Sequence, residues 1–255
     1  ERYNGKWLGA RPHIAVIGSC KIGNFVVTIP LLEGLREKYP EATIDFWGSE
    51  LTKDFENYLC NYKYKNKTRL LDWRHSWDEE GDDKLRRIYE AAKERGKIDY
   101  LVNCDGFNPM TQVLAHLLNP NMVTGGVLEK KGRELMEWGS EAEQRILSED
   151  DWDSREFLQR NSDIIKTQYI AELFCRMSYI IPEENHITNI ELPSIKPEFE
   201  IPDVLIHCSA TRDAKLWESE KWVEVINWCG ENNISVGIIG AKKTNKNQKD
   251  KGYET

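Results

Sequence analysis

The amino-acid sequence predicts an α/β protein built from doubly wound parallel sheets. Short apolar runs rich in branched residues alternate with helical stretches along the chain, a pattern typical of parallel sheets covered by helices. The strand–loop–helix–strand plan also occurs twice, first from His13 to Trp47 and again from Val204 to Ile239. A polar stretch punctuated by prolines separates the two copies. We therefore expect domains at 1–181 and 203–255, joined by a linker at 182–202.

The first copy begins with the apolar run His13–Ile17, which predicts a buried strand. The loop Gly18–Gly23 has glycine at each end, and a helix follows with Leu31, Leu32 and Leu35 on one face. Such a loop presents backbone N–H groups to an anion at the helix N-terminus. Its spacing matches neither G-x-G-x-x-G nor a Walker A loop, so an NAD-dependent enzyme is disfavoured.

Further strands and helices complete the predicted first domain. Strands are expected at 42–47, 70–73, 98–103 and 121–124, with helices at 49–59, 84–96 and 109–118 between them. Asp105 and Gly106 follow the strand ending at Asn103, at the edge where open parallel sheets bind ligands. The charged stretch 126–160 is expected to be irregular and to contribute to an acceptor site, and 162–179 to form an amphipathic helix.

Charge and composition narrow the function classes. The 255-residue chain has a formal net charge of −8, which disfavours nucleic-acid binding. Its six cysteines are scattered without a C-x-x-C motif, which favours buried thiols in a reducing cytoplasm. Lysines and tyrosines alternate at 61–69, either as a solvated loop or as a contact for an anionic acceptor or an acidic membrane. We expect a cytoplasmic protein, with peripheral contact at the inner membrane face as the further option.

Two sequence patterns resemble a known enzyme family. The first continues from Gly23-Asn24 through Thr28-x-Pro30, Leu35-Arg36 and Pro40 to a strand near Ile44-Asp45. The second joins His207, Thr211-Arg212-Asp213, Lys215-x-Trp217 and the later Trp222. Together they resemble the ADP-heptose–lipopolysaccharide heptosyltransferases, glycosyltransferase family 9. This resemblance covers 12–48 and 203–241 well, and the region between them by strand order alone.

The resemblance implies the GT-B architecture, in which two Rossmann-like domains face each other across a cleft. It implies transfer of a sugar, a heptose in this family, from a nucleotide diphosphate donor such as ADP-heptose to an acceptor hydroxyl. Transfer would proceed with inversion and without a metal or other cofactor, in lipopolysaccharide or other glycoconjugate synthesis. The family's later Rossmann units and its Asp-(Thr/Ser)-Gly-x-x-His loop have no counterpart before Thr255. We therefore expect an incomplete C-terminal domain in this chain.

The resemblance also assigns binding residues. It places the donor phosphates on the second loop, at Ser209, Thr211, Arg212 and Lys215, and the acceptor near Lys21, Gly23 and Thr28. A cation and backbone amides are the groups that stabilise a departing diphosphate. For Lys215 the alternative is a solvent-facing loop lysine. Trp217 and Trp222 are expected to pack rather than to stack on a nucleotide, and His207 to be a core histidine.

Asn24 stands where the family has its catalytic Asp, and an amide has no useful basicity. The general base is then lost, or it is another carboxylate such as Asp105 or Asp213, or Asn24 only positions the acceptor. Its alternative structural role is to cap the first helix. Three functions follow from these options: a heptosyltransferase, a tailoring glycosyltransferase with another sugar and a small-molecule or protein acceptor, and a catalytically silent nucleotide-sugar-binding protein.

Overall fold

The computed structural model describes residues 1–18, 21–48, 52–58, 68–72, 82–149, 151–152, 154–167, 169–183, 196–208 and 213–240. The chain divides into two compact units, Glu1–Pro193 and Ser194–Thr255. The boundary between them lies inside the stretch expected to be a linker, of which 184–195 is outside the described residues.

The first unit contains a parallel sheet of five strands. They are β1 (His13–Ile17), β2 (Thr43–Gly48), β3 (Thr68–Asp72), β4 (Tyr100–Asn103) and β5 (Met122–Thr124), in the spatial order β3-β2-β1-β4-β5. Ile17, at the end of β1, pairs with Trp47 on one side and with Asn103 on the other. The order reverses between β1 and β4, so the doubly wound fold predicted from the sequence is confirmed here.

Helices connect and cover these strands. They are α1 (Ile22–Lys38), α2 (Lys53–Tyr58), α3 (Asp82–Glu94), α4 (Pro109–Leu117), α5 (Ala142–Arg145), α6 (Arg155–Arg160) and α7 (Ile170–Arg176). Among its described residues, the region expected to be irregular contains only the short helices α5 and α6, as predicted. Of the lysine- and tyrosine-rich stretch, 61–67 lies outside the described residues.

Helix α1 is buried on more than the one face expected from its leucines. Phe25 and every residue from Thr28 to Leu35 are buried. The sheet covers one side of α1, and α7 packs against it as well. The sequence of α1 therefore carries almost no amphipathic signal, because two neighbours share its surface.

The predicted helix over 162–179 is wrong in length, because only Ile170–Arg176 is helical. The buried Glu172 carboxylate accepts hydrogen bonds from the backbone N–H groups of Lys166 and Thr167 at 2.6–3.0 Å. Those two amides are thus satisfied by a side chain instead of by preceding carbonyl groups. Ile165 nevertheless points into the core, as the apolar spacing indicated.

Alternate residues of β1 pack into two apolar cores, one on each face of the sheet. Ile14 and Val16 pack in the cluster shared with α1 and α7. Ala15 and Ile17 pack in the cluster that contains Leu114 of α4. All four strand residues are fully buried, which fixes the sheet from both sides.

The second unit is built around two parallel strands, β6 (Val204–Ile206) and β7 (Val236–Ile238), with helix α8 (Ser219–Glu231) between them. A short 3₁₀ turn, Asp213–Lys215, precedes α8. The sequence predicted a fully buried strand here, but Leu205 in the middle of β6 is 49% exposed. Among the described residues of the chain, no helix combines the length and apolar character needed to cross a bilayer.

Candidate functional site

The candidate site of the first unit lies at the carboxyl edge of its sheet, where β1, β2 and β4 end together. The Gly18 N–H donates to the Trp47 carbonyl at 3.0 Å, and the Cys104 N–H donates to the Ile17 carbonyl at 3.0 Å. The loops after β1 and β4 therefore leave the sheet side by side, at the point where the strand order reverses. In doubly wound sheets this crevice is where ligands bind.

Asn24 lies at this edge, but it does not cap the helix, so the capping role considered for it is wrong. The N-cap of α1 is Lys21, whose side chain makes no capping hydrogen bond. Asn24 is the third helical residue, and Lys21, Ile22, Gly23 and Asn24 are all exposed. The first turn also contains no acidic residue. An exposed first turn without an acidic side chain suits an anionic or hydroxyl-rich ligand at the helix N-terminus.

The residues predicted on the acceptor side differ in what they can contact. Lys21 and Gly23 are exposed beside Asn24. Thr28 is fully buried, and its hydroxyl donates to the carbonyl groups of Phe25 at 2.6 Å and Asn24 at 3.3 Å. Thr28 therefore anchors the first turns of α1 and does not reach the exposed surface.

Asp105 lies in a turn that its neighbours fix at both ends. The Asn103 side chain is fully buried and accepts from the Asp105 N–H at 3.1 Å. Thr111 donates its hydroxyl to the Asp105 carbonyl at 2.6 Å, and Asn108 donates its amide to the Asp105 carboxylate at 3.2 Å. The half-buried carboxylate is thus held at the reversal of strand order by contacts that need no ligand.

Glycines keep this turn close to the loop after β5. Gly125 has a positive φ of 84°, and a side chain on it would clash with the Asn103 carbonyl. A Cβ on Gly106 would approach the Gly126 nitrogen to 2.7 Å. The Asn103 side-chain amide also donates to the Gly126 carbonyl at 2.7 Å. Backbone packing therefore supports Asp105 in addition to its side-chain hydrogen bonds.

A second carboxylate at the same edge was not predicted. Glu56 of α2 is only 4% exposed and accepts a hydrogen bond from the Thr52 hydroxyl. Its carboxylate lies against Gly48, so closely that a Cβ there would clash with it. The glycine that ends β2 is the sequence signal for this close approach. Because Glu56 is buried, it packs against the end of β2 and does not reach the exposed surface where Asn24 lies.

Thiol chemistry is disfavoured at Cys104, which follows β4 next to this site. Burial raises the pKa of the Cys104 thiol well above its ordinary value, and it raises the pKa of Cys175 to about 12. A thiol in that state supplies no thiolate nucleophile at neutral pH. The prediction of buried thiols is confirmed for Cys175 and Cys229, whereas Cys104 and Cys208 are half-buried. Within the described residues, no cluster of His, Cys, Asp and Glu could hold a metal ion.

The donor loop of the second unit is described only at its end. Lys215 closes the 3₁₀ turn and is exposed, while Ser209, Thr211 and Arg212 lie outside the described residues. Asp213 begins the same turn. The exposure of Lys215 agrees with both of its predicted roles, a phosphate contact and a solvent-facing loop lysine.

The aromatic residues that follow the donor loop pack on each other, as predicted. The rings of Trp217 and Trp222 meet edge to face, with centroids 4.8 Å apart. His207 is exposed, so the expectation of a core histidine is wrong. It follows the last residue of β6 and therefore lies beyond the part of the strand that the sheet buries.

No protein-family model matches the sequence, and no curated protein matches it either. Several solved structures resemble the fold. A glycosyl transferase family 9 protein from Veillonella parvula superposes with a TM-score of 0.55 at 14% identity, over 90% of this chain and 62% of that one. The E. coli heptosyltransferase WaaC gives a TM-score of 0.51 with ADP (15% identity, 90% and 68% coverage) and 0.50 with ADP-2-deoxy-2-fluoro heptose (13%, 91% and 70%).

These similarities agree with the fold expected from the sequence patterns, and the GT-B-like fold class is confirmed. The chain spans about three fifths of the length of the Veillonella protein and about two thirds of that of the E. coli enzyme.

Proposed function

We propose that this chain belongs to a glycosyltransferase that moves a sugar from a nucleotide diphosphate to an acceptor hydroxyl. The observation that carries the proposal is that Asn24 and Asp105 both follow strands that end side by side at the reversal of strand order, in a fold shared with heptosyltransferases. The reaction inverts the anomeric carbon and uses no metal. The acceptor binds on the first unit, and the donor binds on the second.

The donor is a nucleotide-diphosphate heptose. Two of the similar structures contain ADP or an ADP-heptose analogue, which supports the adenosine diphosphate portion. Lys215 then stabilises the charge on the departing diphosphate, together with Ser209, Thr211 and Arg212 of the same loop. The acceptor is a sugar hydroxyl of a glycoconjugate such as lipopolysaccharide, reached at the cytoplasmic face of the membrane.

Asp105 is the general base in this proposal. Asn24 cannot accept the acceptor proton, whereas Asp105 has a carboxylate whose turn is fixed at the same sheet edge. The acceptor oxygen gives its proton to Asp105 and attacks the anomeric carbon, and the bond to the diphosphate oxygen breaks. Asn24 orients the acceptor through its amide. Asp213, on the donor loop, is the competing base.

Three variants test the base assignment. Asp105→Asn should lower the rate of sugar transfer about 10²–10⁴-fold with donor affinity unchanged, since a general base contributes about that much. Asn24→Asp should gain nothing if Asp105 already serves. A large gain in Asn24→Asp would instead identify a lost base on α1, and a rate loss confined to Asp213→Asn would move the base to the donor loop.

The asparagine at position 24, where the resembled family has an aspartate, favours one other function, a nucleotide-sugar-binding protein without catalysis. Incubating the chain with ADP-heptose and a panel of glycan acceptors, followed by mass spectrometry of the products, separates the two. We expect a glycosylated acceptor and free ADP. ADP bound in calorimetry without any product would support the silent binding protein, and the absence of ADP binding would contradict both functions.

A further inference from the structure

We propose that the first unit carries a subsite for an uncharged pyranose ring, formed by Trp152 and Tyr169. The subsite holds a sugar residue of the acceptor, so it rests on the proposed function. It lies outside the Asn24 and Asp105 turns, and it would fix the register in which a glycan crosses the carboxyl edge of the sheet.

The subsite is a cavity of about 90 Å³ lined by Trp152, Leu158, Ile165, Thr167, Tyr169 and Leu173. It opens into a shallower pocket of about 250 Å³ that shares Leu158, Ile165 and Thr167 with it. Their volumes together lie just inside the range of roughly 300–1,000 Å³ typical of small-molecule sites. Trp152 and Tyr169 both line the cavity and are half-buried, so part of each side chain remains accessible.

The wall of this cavity is preformed. The Glu172 carboxylate holds the Lys166 and Thr167 amides, and it also accepts from the Arg176 guanidinium at 3.0 Å. The Thr167 hydroxyl in turn accepts from the Tyr169 N–H at 3.2 Å. Because this loop is fixed without a ligand, binding a sugar there would require little reordering of the chain.

The direction of α7 places the cavity at the carboxyl edge of the sheet. Tyr179, after α7, meets Tyr3 edge to face, and Tyr3 stacks on Tyr100 at the start of β4. Earlier along α7, Cys175 is close enough to Cys104, just past the end of β4, to perturb its pKa. Helix α7 therefore runs antiparallel to β4, and Tyr169 precedes it at the edge that also carries Asp105.

The chemistry of the lining favours a sugar without charge. Aromatic rings offer apolar faces to the C–H side of a pyranose, and Trp and Tyr also carry an N–H or O–H group that can bond a hydroxyl. Thr167, Gln159 and Ser162 add hydroxyl and amide groups for the sugar hydroxyls. Arg155 and Lys166 line the outer pocket, but neither lines the inner cavity that Trp152 and Tyr169 form.

Titration of the full chain with methyl glucopyranoside, galactopyranoside and mannopyranoside tests the subsite. The tryptophan indole N–H signals are followed by NMR, and the Trp152 signal is identified as the one missing in Trp152→Phe. We expect at least one glycoside to shift this signal, and Tyr169→Ala to weaken that binding about tenfold by removing one stacking face. Tyr169→Phe should bind within about threefold of the wild type, because it keeps the ring.

Trp7→Ala is the matched control, because Trp7 is 61% exposed and stacks on Tyr39 after the far end of α1. It should bind the glycoside as the wild type does. No shift of the Trp152 signal with any glycoside, or tighter binding of glucuronate than of glucoside, would overturn the proposal. Equal affinity in a folded Tyr169→Ala variant would overturn it as well.

ADP titrated into the same samples separates this inference from the function on which it rests. ADP binding without any glycoside response would leave the transferase proposal standing and remove the subsite. A glycoside response without ADP binding would retain a sugar site in the first unit while contradicting a nucleotide-sugar donor.

Discussion

The two strand–loop–helix copies of this chain have similar sequences of elements but very different burial. In the first, Ile14, Val16 and Ile17 of β1 are fully buried, and α1 is buried along most of its length. In the second, Leu205 and Ile238 of the paired strands are 49% and 51% exposed. Cys229 alone is fully buried in α8 among its described residues. The same local pattern is therefore buried on both faces of the sheet in the first unit and half-exposed among the described residues of the second.

The comparison shows that the apolar sequence pattern determines whether a strand forms, whereas the neighbouring strands and helices determine how stable that strand is. Strand β1 is flanked by β2 and β4 and covered on both faces. Within the described residues, β6 pairs only with β7. A pair of strands is marginally stable in water, whereas a sheet of five strands covered by helices is not. We therefore expect the two units to respond differently to perturbation.

Hydrogen exchange of the whole chain should show the largest difference. Backbone amides in β1 and β4 should exchange at least about a thousandfold more slowly than those in β6 and β7, because protection ranges from near zero to the global free energy of unfolding. Exchange followed by mass spectrometry of proteolytic peptides measures this. Equal protection in the two sheets would mean that contacts outside the described residues stabilise the second unit.

The next largest difference should come from shortening one apolar side chain in each unit and comparing the loss in the free energy of unfolding. Ile14→Ala should lower the free energy of unfolding by about 2–5 kcal/mol, since it leaves a cavity in a packed core. Leu205→Ala should cost less than about 1 kcal/mol, because half of its side chain is already exposed. Urea unfolding of each purified variant provides both values. A cost for Leu205→Ala that matched Ile14→Ala would contradict the assigned difference in burial.

Removing an exposed lysine from the loop after β6 should lower donor affinity more than removing one from the loop after β1. Lys215→Ala should weaken ADP binding about ten- to hundredfold, since a charge-assisted phosphate contact contributes about 1.5–3 kcal/mol. Lys21→Ala, the matched change of an exposed lysine in the first unit, should alter ADP affinity by less than about threefold. Calorimetry on both folded variants is the measurement. The reverse ranking would place the donor on the first loop.

The smallest expected effect is the pH-dependent contribution of one buried carboxylate, Glu172, to the free energy of unfolding. Burial opposes ionisation of Glu172, but hydrogen bonds from Lys166, Thr167 and Arg176 outweigh it and lower its pKa below the ordinary 4.5. Its stabilisation is therefore present above about pH 4.5 and lost as the pH falls through the lowered pKa. Glu172→Gln should cost about 1.5 kcal/mol at pH 7, as expected for hydrogen bonds to a charged group.

Asp203 of the second unit is the comparison for Glu172. Hydrogen bonds from the Ser235 side chain and amide lower its pKa too, but its carboxylate is exposed. Asp203→Asn should leave the urea midpoint almost unchanged at both pH 7 and pH 3. The Glu172→Gln deficit, in contrast, should shrink between those two pH values. A deficit that stayed constant with pH would show that the Glu172 charge is not what stabilises the loop.

The sequence alone determined the fold class, the principal strands and the edge of the sheet at which to look for a site. Apolar runs such as His13–Ile17 are specified locally, because a strand buried on both faces needs almost only apolar residues. Asp105 was placed correctly after β4 for the same reason. Residue-type patterns around Asn24 and Lys215 pointed to the proposed function, since they depend on spacing along the chain.

Tertiary structure decided what spacing along the chain cannot encode. The buried face of α1 depends on α7, which follows it by more than a hundred residues. The helix predicted over 162–179 is short because Glu172 takes the hydrogen bonds of two amides, and His207 is exposed because β6 ends before it. The Trp152–Tyr169 cavity likewise forms only when separate segments pack. In each case the outcome depends on packing or hydrogen bonding that exists only in the folded chain.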